Sequence, residues 1–285
     1  MSKVGIVADS ASCLPPELIE RYDIRIAPVI LIINGKSYQD QIDITADEFY
    51  RLQKESKTAI STSAVAPGVF ADIYKSLAEQ TDKIICLPHS SGLGATCESA
   101  MQARDIVKQE LPDVSIEVID TRTAAGAQGF VVLEAARAVA EGKSFAEVVE
   151  VTQAMVSRVK WLVALETLTY LIRGGRAPKF AGSIANLIQM KPIIGMTNGG
   201  SAVDFSDKVR TFPKAMARLV EIVKKQVEPG KPVHFMVHYS DSIEKGEHLK
   251  QMLAAEFECE EVYINHVTPA ISCHMGPVVG LSFYC

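Results

Sequence analysis

The stretch that decides the fold is KIICLPHSSGLGATCESAMQARDIVKQELPDVSIEVID, residues 83–120. Residues 83–87 form a short apolar run, the pattern of a strand buried on both faces. A loop of small residues follows, and from about Thr96 to Glu110 the pattern turns helical. Residues 115–119 are apolar again and end in Asp120. Strand, loop, helix and strand in this order make a parallel crossover unit.

Working outward, the same alternation recurs. Residues 3–8 read as a buried strand closed by Asp9-Ser10, and Pro15-Pro16 opens a helix through Arg21. Residues 25–33 read as one further strand, and Asn34-Gly35 is a hairpin signal with residues 36–38 returning. Thr45 and Glu48 form a capping box for a helix over 45–56. Helices are expected over 67–80, 126–141 and 145–158. Near Val159 the character changes. Strands are expected over 161–165, 191–195, 202–205, 233–238, 261–266 and 278–283, with a turn at Asn198-Gly199-Gly200 and helices over 213–226 and 242–257. The expected fold class is therefore α/β. A Rossmann-like, mostly parallel sheet domain spans residues 1–158, and a mixed α+β domain spans 159–285.

Composition narrows the function classes. The chain has 285 residues, 48% hydrophobic and 22% charged, with a net charge of −5. That is ordinary globular composition, and its mild acidity argues against a general nucleic-acid binder. The longest apolar stretch, residues 24–33, contains Arg25 and Pro28 and falls short of the ~20 residues that span a bilayer. Stable membrane insertion is not expected. The N-terminus shows no signal-peptide apolar core, and the six cysteines form no C-x-x-C pair. A cytoplasmic protein with reduced thiols is the simplest expectation.

Three places could carry chemistry. The loop from Pro88 to Cys97 ends at a helix N-terminus, where free N–H groups suit an anion. Gly92 and Gly94 fit the first half of a dinucleotide fingerprint, and Asp120 stands where a ribose-binding acid would. Cys97 replaces the third glycine. An enzyme binding a nucleotide or phosphorylated metabolite there is the alternative reading. The hydroxyls of Ser61, Thr62 and Ser63 could reach the same anion or merely cap a helix. His274 precedes a Gly-Pro turn and is a candidate donor, while Arg173-Gly-Gly-Arg176 could meet a partner or end a helix. His234 and His238 alternate on one strand, but no third ligand accompanies them, so no metal is expected.

These pieces together resemble the DegV family of fatty-acid-binding proteins, the acyl carriers of bacterial fatty acid kinase. The matching signatures are Val7-Ala-Asp9-Ser10, Thr62-Ser63, Ser90-Ser91-Gly-Leu-Gly-Ala-Thr96, Asp120-Thr121, Leu171-Ile-Arg-Gly-Gly-Arg176, Lys191-Pro192 with Asn198-Gly199, Val209-Arg210-Thr211, and His274-Met-Gly-Pro277. The resemblance implies a palmitate-like long-chain fatty acid held between the two domains, no cofactor, and catalysis in a partner kinase subunit. Its carboxylate is expected at Thr62, Ser63 and the backbone of Gly94 and Ala95, with His274 and Arg210 nearby. Arg173 and Arg176 are expected to contact the partner. One departure stands out. The family loop reads Leu-Ser-Gly-Thr-Tyr, and here it is Leu93-Gly94-Ala95-Thr96-Cys97. A side-chain donor is missing at position 94, and Ser90, Ser91 or a water is expected to replace it unless binding is weaker or the head group differs.

Overall fold

The computed structural model describes residues 4–56, 60–176, 190–197 and 199–285. Asn198, expected in a hairpin turn, lies outside the described residues.

The first sheet is wholly parallel. It comprises β1 (Gly5–Asp9), β2 (Arg25–Ala27), β6 (Lys83–Leu87) and β7 (Ser115–Val118), in the order β2-β1-β6-β7. From β1 the chain runs through α1 (Pro16–Arg21) to β2 on one side and later returns to β6 on the other. The strand order therefore reverses between β1 and β6. Loops leaving such a switch point part from one another and open a crevice at the strands' C-terminal ends. Asp9 ends β1 there, and Pro88 and His89 follow β6.

The single strand expected over 25–33 is instead two strands in different sheets. Pro28 has no N–H to donate and a fixed φ, so it interrupts the ladder. After it, β3 (Ile30–Ile33) joins β4 (Lys36–Gln39) and β5 (Ser61–Ser63) in an antiparallel sheet, order β4-β3-β5. Between β4 and β5 lies α2 (Ala46–Glu55), whose capping box is formed as expected: Glu48 N–H donates to Thr45 Oγ1, and Thr45 N–H to Glu48 Oε2. Helices α3 (Pro67–Ala78) and α4 (Thr96–Glu110) cover one face of the parallel sheet, where Phe70, Tyr74 and Leu77 meet Ile84, Ala100 and Val107.

The second large sheet is mixed. Its strands are β8 (Lys160–Leu165), β9 (Lys191–Met196), β10 (Val203–Val209), β11 (Val233–Tyr239), β12 (Cys259–His266) and β13 (Val278–Tyr284), in the order β10-β9-β8-β13-β11-β12. Only β11 and β12 pair in parallel. One face is covered by α8 (Phe212–Lys224) and α9 (Ile243–Glu256). Two shorter α-helices among the described residues are α7 (Thr169–Arg173) and α10 (Pro269–Met275). No element is expected from the sequence over the seven residues of α10, only a Gly-Pro turn after His274. Thr268 precedes the helix in extended conformation and Pro269 occupies its first position, a local start signal on a helix too short to show periodicity.

Between the two large sheets runs α5 (Ala125–Ala140), paired with α6 (Phe145–Arg158). It is buried almost all round because each side meets a sheet. Phe130, Val131 and Leu133 join one cluster with Ile6, Ala8, Ile85 and Leu87 of the parallel sheet and Met236 and Tyr284 of the mixed one. Its alanine-rich sequence is the consequence, since small side chains let backbones approach on both flanks. The Phe130 ring meets Tyr284 edge-on, with centroids 5.0 Å apart.

Candidate ligand cavity

Beside that shared core, the two halves leave a cavity of about 270 Å³. Ala11, Val29, Leu93 and Ala124 wall it from the first half, and Trp161, Leu171, Val203, Ile271 and Met275 from the second. Into this largely apolar space project Thr62, His89, Arg176 and His274. A larger cleft of about 940 Å³ opens between β7–α6 and β8–β9. Glu117, Asp120, Arg122 and Lys160 line it and suit water better than hydrocarbon.

Thr62 sits in the middle of β5, opposite Leu31. Alternation along the strand turns it inward, whereas Ser61 and Ser63 are exposed. The Thr62 hydroxyl lies 2.9 Å from His274 Nε2 on α10. Burial first, then the charges of Arg176 and His89, push the His274 pKa down to about 3. The ring is therefore neutral and carries one proton. With that proton on Nε2, it donates to Thr62 Oγ1 and leaves the threonine hydrogen free to point into the cavity. Ser63 reaches the cavity, but its hydroxyl donates to the Ala64 carbonyl at 3.5 Å.

The opposite wall is the start of α4. Gly94, Ala95 and Thr96 face the cavity, and Ala95 at the N-cap makes no side-chain capping bond. The first-turn N–H groups of this fifteen-residue helix have no carbonyl one turn back, so they and the helix dipole favour an anion.

At the switch point Asp9 is fully buried. Its Oδ2 accepts from the His89 N–H at 2.7 Å and meets His89 Nδ1 at 3.1 Å, and its Oδ1 accepts from Ala11 N–H at 2.9 Å. Burial alone would raise the Asp9 pKa, but His89 and these hydrogen bonds lower it below the ordinary carboxylate value. Burial alone would lower the His89 pKa, and the Asp9 carboxylate outweighs it, so the imidazole titrates above its ordinary value.

Several expected residues stand elsewhere. Arg210 is exposed beyond the far end of β10, whose first residue, Val203, lines the cavity. Seven strand residues at ~3.3 Å each separate the two by about 23 Å, beyond the reach of an arginine side chain. Arg176, expected as a partner contact, lines the cavity instead, and its Nη1 donates to the Gly174 carbonyl at 2.6 Å. Arg173 is exposed. Ser90 and Ser91 do not supply the missing donor: Ser90 Oγ donates to Gly200 O at 2.5 Å, and Ser91 Oγ to Asp120 Oδ2 at 2.6 Å.

Those bonds also occupy groups that the nucleotide reading would use. A Cβ on Gly92 would lie 2.5 Å from Ser201 O, so the bare backbone there admits the close approach of Ser201. Asp120, the would-be ribose acid, is engaged by Ser91 and by the Arg122 N–H at 2.8 Å. His234 and His238 go separate ways. His234 Nδ1 meets Glu261 at 2.8 Å, and His238 is buried, with its pKa pushed down to about 4 by desolvation. Among the described residues, no group of three or more His, Cys, Asp or Glu side chains could hold a metal ion. No helix among them is long and apolar enough to cross a membrane.

His89 is not among the residues singled out from the sequence, and Arg176, expected at a partner surface, lines the cavity. The signal for His89 was present: a polar residue two positions past a central parallel strand, where crevice residues collect.

Comparison with known proteins agrees over the whole chain. The family model described as "Uncharacterised protein, DegV family" matches residues 3–285. A DegV domain-containing protein of Caldanaerobacter subterraneus subsp. tengcongensis is 32% identical over 278 residues, covering 97% of this chain and 96% of its own. Among solved structures, a fatty-acid-binding DegV family protein from Thermus thermophilus superposes with a TM-score of 0.90 at 28% identity, covering 99% of both chains. A DegV lipid-binding protein from Thermotoga maritima gives 0.87 at 26% identity, covering 99% of this chain and 98% of its own.

Proposed function

Because the chain belongs to the DegV family, we propose that it binds a palmitate-like long-chain fatty acid in this cavity, between residues 1–158 and 159–285, and presents the carboxylate to a separate kinase subunit for acyl phosphate formation. The observation that carries the reading is the meeting of Thr62, His274, Arg176 and the start of α4 in one largely apolar space. Each methylene withdrawn from water contributes ~0.8 kcal/mol, which makes the hydrocarbon the main source of affinity. The polar groups fix which end goes where.

In this reading the Thr62 hydroxyl and the Gly94 and Ala95 N–H groups donate to the carboxylate. His274 orients Thr62 and stays uncharged, so it adds no competing demand for a counter-ion. Arg176 supplies positive charge from the second half. Ser63 lines the cavity beside Thr62. The chain itself performs no chemistry: phosphoryl transfer belongs to the kinase subunit, which meets exposed Arg173. The proposed setting is the cytoplasm, consistent with six free cysteines.

The test is a lipid extract of the purified protein analysed by mass spectrometry, together with uptake of added palmitate. A C14–C18 acid in the extract, or stoichiometric uptake, is the expected result. Neither a bound acid nor any uptake would remove the proposal.

A further inference from the structure

We propose that His89, held by Asp9 and presented beside Gly94, is the charge-bearing donor that grips the ligand's carboxylate in this chain, standing where a side chain at position 94 would otherwise reach. This rests on the fatty-acid reading above and adds to it a residue which that reading does not use.

Three observations lead here. Asp9 is a buried carboxylate whose Oδ2 meets both the backbone N–H and Nδ1 of His89. A buried anion of this kind needs a counter-charge. Its ion-pair partner among the described residues is His89. With Nδ1 donating to Asp9, the protonated ring has one further N–H, on Nε2, and His89 lines the cavity. That nitrogen would lie 3.3 Å from a Cβ built on Gly94. Gly94 needs no positive φ, so its backbone tolerates a side chain. The space beside it is taken instead by an imidazole pinned to Asp9 at two atoms. Ser90 and Ser91, the other candidate donors of this loop, are engaged elsewhere.

The charges facing His89 come from four segments. Asp9 at the end of β1 and Asp120 after β7 favour its protonated form, while Arg176 after α7 opposes it. His274 on α10 is neutral. The outcome is a raised His89 pKa. The Nε2–H donor therefore persists to higher pH than on a free imidazole and is lost as pH rises through the folded-state titration.

The experiment measures dissociation constants of palmitate and of 1-hexadecanol for the full chain, for His89→Ala, for Gly94→Ser and for the double variant. Charge-assisted hydrogen bonds are the strong ones, so His89→Ala should weaken palmitate roughly 10- to 100-fold and leave hexadecanol almost unchanged. In the His89→Ala background, Gly94→Ser should recover most of that loss. Alone, it should gain nothing, because His89 occupies the space. Equal palmitate affinity in wild type and His89→Ala overturns the proposal, as does the same gain from Gly94→Ser in both backgrounds. Should His89→Ala fail to fold, the wild-type pH profile decides. Palmitate affinity should fall as pH is raised through the His89 titration, above the ordinary imidazole range, while hexadecanol stays level, and parallel curves refute the role. Failure of the fatty-acid reading itself looks different, since wild type then takes up no palmitate at any pH.

Discussion

Thr62→Val removes one hydroxyl at little change in volume and perturbs two things at once. In the free protein, His274 Nε2 loses the oxygen 2.9 Å away, and its other ring nitrogen, Nδ1, is already buried without a hydrogen-bond partner among the described residues. Stranding a buried polar group costs about 1–3 kcal/mol. At ~2–4 °C per kcal/mol for a chain of this size class, the melting temperature should fall by about 2–12 °C. In the complex, the carboxylate loses a donor worth about 1.5–3 kcal/mol, or roughly a 10- to 150-fold weaker palmitate dissociation constant. Titration with palmitate and a thermal melt on the same sample separate the two effects. Thr62→Ser, which keeps the hydroxyl, should stay within about threefold of wild type in affinity. A variant that melts lower but binds palmitate as tightly as wild type would refute the reasoning. Thr62 would then be a structural partner of His274 and nothing more.

Arg176→Leu should weaken palmitate at least about tenfold while sparing 1-hexadecanol, because it removes charge from a cavity wall and keeps bulk there; equal losses for both ligands would mean a collapsed cavity. Gly92→Ala forces a Cβ against the Ser201 backbone and should destabilise the chain by about 1–3 kcal/mol in urea unfolding, an effect that an unaltered midpoint would exclude. Burial pushes the pKa of His238 down to about 4 and that of His274 to about 3, both from 6.5. A pKa depressed in the folded state contributes stability that is present above the unfolded value and lost as pH falls through the folded one. Unfolding free energy should thus decline from about pH 6.5 towards about pH 4, and His238→Asn should flatten that decline.

Much of the architecture was legible because it rests on local signals. Strands β6 and β7, helices α4 and α6 and the capping box of α2 stand within a residue or so of where periodicity and turn chemistry put them. Where reading failed, the cause was tertiary. Residues 25–33 look like one strand, and only the partners on either side of Pro28 assign β2 and β3 to different sheets. Helix α10 has seven residues, less than the two turns needed to reveal a pattern. At the site, Thr62, Gly94 and His274 were legible as motifs. Arg210, expected near the head group, stands beyond the far end of β10, and nothing in the sequence gives the direction in which that strand leaves the cavity. The glycines of residues 92–94 drew attention to phosphates, whereas one admits a neighbouring turn and the other lies against an imidazole.

The helix threaded between the two large sheets constrains how an oily guest gets in. Parting the sheets like a clamshell would strip cover from Phe130, Val131, Val132 and Leu133, all now dry. At roughly 1.5–3 kcal/mol per side chain, exposing these four alone would consume most of the 5–15 kcal/mol by which a folded protein exceeds its unfolded chain. On the fatty-acid reading, loading and discharge would therefore use small, local rearrangements at the rim while the frame stays shut, and the rate of lipid exchange should follow rim mutations rather than changes in the central helix.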